Sequence, residues 1–264
     1  MKIVELIEML KNRFPEEIME SYDNTGVQVL FHEDEIKKIY ISLDADMATL
    51  QDAIDRGCNL IVSHHPLLFR PVKKLLTSET RSRVIINMIA GRVSLYSIHT
   101  NFDRIMFRAL AEFIGYRDTI PLLNVSISDS GETGFGSITK LPVSITLGEL
   151  MLNIKTRLGL NYLVYSGTIN KIVRTIAFLN GSGGGSIEHI IQKFCPDCIV
   201  TGDVNYHHIK YAMDSGICII DAGHFGTEII FKKILAESVK NVLNDETIDI
   251  IISDVEKNPF KVFT

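Results

Sequence analysis

Cysteine is scarce in this chain: four residues in 264, Cys58, Cys195, Cys198 and Cys218. They are too few and too scattered for a disulfide framework. That excludes a disulfide-stapled secreted fold and points to reduced thiols and a cytoplasmic location. Cys195 and Cys198 form a lone C-x-x-C in "FCPDCIV". A zinc ribbon needs a second pair, which is missing, and a redox C-x-x-C opens a helix, whereas this one leads into an apolar strand-like run. The cysteines are therefore read as structural. No apolar stretch approaches the about 20 residues of a membrane span. There is no long basic run, and the formal net charge is -5. Neither nucleic acid nor an anionic membrane is an expected partner. The opening "MKIVELIEMLKNRFPEEIME" lacks the uninterrupted apolar core of a signal peptide. Its spacing of Ile3, Leu6, Ile7 and Leu10 is that of an amphipathic helix.

Hydrophobic residues make up 46% and charged residues 22% of the chain, ordinary values for a folded protein. The length allows one large or two modest domains, with enough chain to bury a core unaided by disulfides or a structural metal. Turn-like "DNTG" precedes strand-like "VQVLF". "KIYISLDAD" reads as a strand, "MATLQDAIDRG" as a helix closed by Gly57, and "NLIVSHHP" as a short buried strand. A helix is expected through "SETRSRVIINMIAG" and another strand in "VSLYSIHTNFD". Such alternation predicts mostly parallel sheets covered by helices. Residues 120–145, richer in Ser, Gly, Thr and Pro, read as a connection with strand-like pieces.

The second half repeats the first. "TIAFLNGSGGGSIEHIIQKFCPDCIVTGDV" lies on "KIYISLDADMATLQDAIDRGCNLIVSHHP" as strand, loop, helix, strand. His99 with Asp103 four residues later then matches His224 with Glu228 four residues later. The expected fold is therefore an internal duplication: two related α/β lobes, residues 1–125 and 126–264, with a metal site between them. The segment from about 235 to 264 is expected to return to the first lobe.

Ligands of open α/β sheets bind beyond the carboxyl ends of the strands, and the polar residues fall there in both halves. His64, His65, Asp103, His224 and Glu228 come from three separate strand ends. Neutral imidazoles with carboxylates suit zinc, manganese, iron or nickel. Five ligands exceed the three of an open catalytic zinc, and a carboxylate can bridge two ions roughly 3.5–4 Å apart. The expectation is a dinuclear centre with two divalent ions per chain. One histidine of the His64–His65 pair serves each ion, splayed by a turn at Pro66; Asp103 and His224 serve one ion each, and Glu228 bridges. Which of the two histidines serves which ion is open at this point.

Other residues admit two readings. His99 contacts substrate or carries a proton. Asp23 and Asn24 in "YDNTG" form a turn or line the cleft; Thr100 and Asn101 orient ligands or substrate; Asp44 and Asp46 accept hydrogen bonds behind the ligands. "NGSGGGS", residues 180–186, is a tight turn or an anion contact at a helix start; it lacks the P-loop lysine and the Rossmann spacing. His32, His189, His207 and His208 are read as structural, the last two with a lesser claim to a substrate contact.

Taken in order, "YDNTGVQV", "SLDAD", "IVSHHPLLF", "IHTNFD", "NGSGGGS", "IVTGDVNYHH" and "DAGHFGTE" resemble the GTP cyclohydrolase 1 type 2 homologue family, also called Nif-three-like, over residues 20–230 or so. The combination of HHP, HTNxD and GHxxTE carries the resemblance. It implies a two-metal centre whose ligands fall on His64, His65, Asp103, His224 and Glu228, and a toroidal homohexamer. The short connection near 120–145 makes this chain similar to the compact bacterial type without an inserted domain. The family name implies hydrolytic attack on the imidazole ring of GTP, a nucleotide substrate; on the reading of the residues themselves, His99 and Glu228 are the expected catalytic residues. A metal-binding scaffold or regulatory protein without catalysis is the alternative.

Overall fold

The computed structural model describes residues 1–128, 131–244 and 247–263. The chain divides into two compact units, one made of Met1–Phe102 and Phe231–Lys257, the other of Asp103–Ile230 and Asn258–Thr264.

The first unit opens with α1 (Ile3–Arg13), which buries the predicted stripe of Ile3, Leu6, Ile7 and Leu10. Next come β1 (Gly26–Val29), β2 (Lys38–Ser42), α2 (Met47–Asp55), β3 (Leu60–Ser63), α3 (Thr80–Gly91), β4 (Ser94–Ser97) and the short α4 (Thr100–Ile105), within which the units change over. The second unit continues with α5 (Ala109–Ile114), β5 (Thr119–Ser128), β6 (Gly131–Thr146), α6 (Leu147–Leu158), β7 (Val164–Ser166) and β8 (Ile172–Ser182). It ends with α7 (Ile187–Phe194), β9 (Cys198–Gly202), α8 (Tyr206–Asp214), β10 (Cys218–Asp221) and α9 (His224–Glu228). The chain then returns to the first unit as α10 (Phe231–Leu243) and β11 (Asp249–Ile252).

The first sheet has the order β1-β4-β3-β2-β11. Four of its strands are parallel and β1 is antiparallel to β4. β3, Leu60–Ser63, is buried along its whole length, as a parallel strand covered on both faces must be. Tyr40, Leu50, Ile61, Met88 and Leu95 form a core on one side of this sheet. The second sheet has the order β5-β6-β8-β9-β10-β7. Only β8, β9 and β10 are mutually parallel; β5, β6 and β7 pair antiparallel. Its core gathers Ile138, Leu179, Ile190, Ile199 and Ile219.

The α/β class holds, and the repeat runs further than the sequence match. The series α1, β1, β2, α2, β3, α3, β4, α4 has the same order and strand pairing as α6, β7, β8, α7, β9, α8, β10, α9. In each series the third parallel strand has an antiparallel edge partner, β1 on β4 and β7 on β10. Three expectations need correction. The second sheet is mixed rather than mostly parallel. Residues 120–145 are not a connection: β5 and β6 are a long antiparallel pair forming that sheet's edge. Pairing of β6 with β8 draws the hairpin into the second unit, so the changeover falls at Phe102–Asp103 rather than near residue 125. β11 pairs in register with β2 and belongs to the first unit.

Cys198 and Cys218 are buried and face each other across β9 and β10, while Cys195 caps α7 in the left-handed region. Burial pushes the Cys198 thiol well above its ordinary value, which suits an inert packing residue. Among the described residues, no helix is long and apolar enough to cross a membrane.

Phe14 is fully buried, with its ring 5.2 Å from that of Phe102. Phe14→Ala is expected to destabilise the first unit by about 3–5 kcal/mol, read as a lower urea midpoint for unfolding of that unit.

Candidate metal and catalytic site

In the first unit the site begins where β3 stops. The amides of His64 and His65 donate to the carbonyls of Ser42 and Leu43, at 3.1 and 2.8 Å, so strand pairing persists while the backbone bends at both histidines. The bend lies at the histidines themselves and not only at Pro66. It brings side chains that would alternate along a strand to ring centroids 5.0 Å apart. His99, just beyond β4, joins them, with centroids 5.2 Å from His64 and 5.6 Å from His65. One ring nitrogen from each of the three histidines lies within 4.8 Å of the others.

Each ring is fixed from behind. His64, nearly fully buried, donates from Nδ1 to the Ile98 carbonyl at 3.0 Å. His65 places Nδ1 on Asp44 Oδ1 at 2.9 Å, and His99 places Nδ1 on Asp23 Oδ1 at 2.8 Å. An oxygen that only accepts forces the ring hydrogen onto Nδ1 and leaves Nε2 as the basic nitrogen. Asp23 also accepts from the Thr100 amide and hydroxyl. Burial raises its pKa, but the hydrogen bond and charge of His99 and the bonds from Thr100 outweigh this and hold it at about 2.

The second unit supplies a matching half. α9 sets His224 and Glu228 at i and i+4, one face of a helix, with Nε2 3.0 Å from Oε2. Asp203, at the end of β9, accepts from His224 Nδ1 at 2.8 Å. Glu228 is 3% exposed. Gly181 lies over it at φ +59°, where a Cβ would overlap the carboxylate. Three of the four glycines of "NGSGGGS" thus serve close approach: a Cβ at Gly183 would overlap Thr201, and one at Gly184 would crowd His208, while Gly185 faces open space. Asp103, also 3% exposed, accepts from Asn180 Nδ2 at 2.9 Å.

Several expected residues take different places. Asp103 and Glu228 stand on the short helices α4 and α9, not on strand ends. Asn101 is fully buried and binds the Thr25 hydroxyl, the His99 amide and the Phe14 carbonyl, so it braces the His99 loop and offers nothing to a substrate. Asp46 is the N-cap of α2, bonded to Thr49 rather than to a histidine. Asn24 is exposed and donates to the Leu68 carbonyl, tying its turn to the loop after the histidine pair. His32, His189 and His207 are exposed, and His208 lies against the Asn205 cap of α8. Asp203 and Asn180 join the site without being among the expected residues, although Asp203 stands in the repeat where the first half has His65.

A donor-set test favours a metal. His224 meets a carboxylate at each ring nitrogen, Asp203 at Nδ1 and Glu228 3.0 Å from Nε2; as an imidazolium it pairs with both, and when neutral it turns a lone pair toward Glu228. A shared cation removes that repulsion. Imidazoles held at Nδ1 and nearly buried carboxylates are what first-row divalent ions take.

The fold and these donors define a duplicated α/β protein with metal-type histidine sites. The sequence profile of the DUF34/NIF3 family (NGG1p interacting factor 3) matches residues 1–259, and the chain belongs to that family. It is 34% identical over 266 residues to a Clostridium perfringens protein named GTP cyclohydrolase 1 type 2 homolog, covering 99% of each. It is 31% identical over 241 residues to a Helicobacter pylori protein named GTP cyclohydrolase 1 type 2, covering 89% of this chain and 90% of that one. A crystal structure of a Bacillus cereus protein related to NIF3 shares the fold at a TM-score of 0.90, with 21% identity, over 100% of this chain and 99% of that one.

The Asp23–His99 pair has a pH signature. The Asp23 carboxyl is ordinary near 3.8 when unfolded and about 2 when folded. Its stabilisation is complete above pH 4 and is lost as pH falls from about 4 through about 2, amounting to about 2 kcal/mol. Asp23→Asn is expected to be less stable than wild type at pH 6 and to close most of that gap near pH 2, in urea titrations across the range.

Proposed function

We propose that this chain is a metal-dependent hydrolase of the GTP cyclohydrolase 1 type 2 kind. His64, His65, Asp103, His224 and Glu228 would hold two divalent ions, zinc, manganese, iron or nickel. The carrying observation is the His224–Glu228 pair, a ring nitrogen and a nearly buried carboxylate oxygen 3.0 Å apart with the imidazole held from behind by Asp203. Three imidazoles similarly held in the first unit and the names of the relatives support the same reading. When bound, such ions supply an acidified water and a charge that polarises the electrophile.

The chain's own residues do the rest. Asp23 keeps the His99 hydrogen on Nδ1, so Nε2 accepts a proton and hands it on. In the reaction proposed, water adds at C8 of the guanine imidazole ring, a ring C–N bond breaks, and a second water releases C8 as formate. His99 delivers the proton to the departing ring nitrogen. Asn101 and Thr25 fix the His99 backbone and Asp23 fixes its ring, so Nε2 is presented at a set position. The homohexameric ring implied by the sequence resemblance is part of the proposal, with light scattering on the eluting protein as its check.

The test reconstitutes the protein anaerobically with each metal, counts ions per chain and follows formate release from GTP beside Glu228→Gln. About two ions per chain and metal-dependent release, both lost or reduced at least a hundredfold in Glu228→Gln, are expected. Two ions without turnover of any nucleotide would turn the reading to a metal-binding scaffold. Absence of bound metal in every preparation would overturn it.

A further inference from the structure

Lys232 and Glu256 are a buried ion pair with no part in the chemistry above. Lys232 is the second residue of α10, and Glu256 follows β11; both side chains are under a tenth exposed, and they meet at 3.0 Å. Burying two charges is costly unless their remaining hydrogen-bonding capacity is used. Here it is. Lys232 also donates to the Ser253 carbonyl at 2.8 Å. The other Glu256 oxygen, Oε1, accepts two adjacent backbone amides, those of Leu43 and Asp44, at 2.9 and 2.8 Å.

Those two amides belong to the dipeptide that holds His65. The Leu43 carbonyl accepts the His65 amide at 2.8 Å, and the Asp44 carboxylate accepts His65 Nδ1 at 2.9 Å. His65 is thus held, backbone and ring, by a dipeptide whose own N–H groups are both held by Glu256. Ser253 extends the same attachment, donating its amide to the Ile41 carbonyl beyond the β2–β11 pairing. Residue 231, beside Lys232, puts its phenyl ring 5.4 Å from the His64 ring. The returning chain therefore supports both members of the histidine pair, His64 by packing and His65 through two layers of hydrogen bonds.

We propose that Glu256, anchored by Lys232, is a positioning residue that sets the ring orientation and tautomer of His65 through the Leu43–Asp44 loop. The proposal rests on His65 as a metal ligand for its purpose, but its geometry is independent of any metal. A simple staple would fasten the C-terminal run to the sheet and leave His65 indifferent to how Glu256 is altered. Charge and reach separate the two. Glu256→Gln keeps an oxygen at the same reach for both amides and loses the charge opposite Lys232. Glu256→Asp keeps the charge and falls short by one methylene.

Nitrogen-15 spectra of the histidine rings in the metal-free protein read the tautomer, melting curves read stability, and competition with a chelator reads zinc affinity. With Glu256→Gln, His65 is expected to keep its Nδ1–H signal and zinc affinity to stay within about threefold, although the melting point falls. With Glu256→Asp, the His65 signal is expected to shift toward a tautomer mixture and zinc affinity to drop at least about tenfold, the size typical of outer partners of metal-bound histidines. Lys232→Met, which spares the Glu256–amide contacts, is expected to lower the melting point with His65 unchanged. Wild-type His65 signals in Glu256→Asp, or a loss of the His65 tautomer in Glu256→Gln equal to that in Glu256→Asp, would overturn the proposal. A changed His65 tautomer in a protein that binds no zinc would sustain the positioning role while defeating the metal reading.

Discussion

The site depends on one interaction made four times: an imidazole Nδ1–H held by an oxygen that can only accept. The Ile98 carbonyl holds His64, and Asp44, Asp23 and Asp203 hold His65, His99 and His224. The hydrogen bond does two things at once. It chooses the tautomer, leaving Nε2 basic, and it removes the ring rotation that would otherwise be frozen only when a ligand arrived. The acceptors sit where the fold puts them at little cost. Ile98 follows directly after β4, Asp44 lies two residues beyond β2, and Asp203 follows directly after β9 with φ +55°, a conformation that Asp tolerates better than most residues. Histidines and acceptors thus come from the carboxyl ends of the parallel strands and the loops beside them, and the duplication supplies such ends in each unit.

Carboxylates complete the donor set by a different device. Glu228 is presented on one turn of helix after β10, and the helical i, i+4 spacing alone brings it to His224. Its burial needs a neighbour without a side chain, which Gly181 provides. Asp103 likewise stands on a short helix after β4 and takes its bond from Asn180, one residue before that glycine. The strand–turn "NGSG" therefore serves both acids of the second unit, one through an amide and the other through an absence.

Much of this was legible in the sequence. Periodicity placed α1, and apolar runs bounded by turn residues placed β2, β3, β4, β9 and β10, because buried parallel strands carry a strong composition signal. The repeat of polar residues after matching strands located the His64–His65 and His224 regions. The β5–β6 hairpin was hidden because its Ser, Thr, Gly and Pro content resembles that of a loop, whereas an antiparallel edge exposed on one side needs few apolar residues. The helical setting of Asp103 and Glu228 was readable from the four-residue spacing to His99 and His224, but an apolar strand just upstream masked it. Asn101, between His99 and Asp103, reads as orienting either ligands or substrate; its burial and its bond to the His99 amide put it behind the His99 loop. Asp44 and Asp46 show the limit most plainly. Two residues apart in "SLDAD", one holds a histidine and the other caps a helix, and no local pattern separates them.

Metal binding at this site requires Nε2 to be the nitrogen that each held histidine offers. Diffraction data collected on either side of the zinc absorption edge, from crystals of the zinc-reconstituted protein, test that most directly. Anomalous peaks about 2.0–2.1 Å from Nε2 of His64, His65 and His224, with Nδ1 of each still on its oxygen partner and Asp103 and Glu228 completing the coordination, are the expected result. Zinc bound through Nδ1, with the Asp44 or Asp203 contact broken, or zinc found only at other residues, would contradict it.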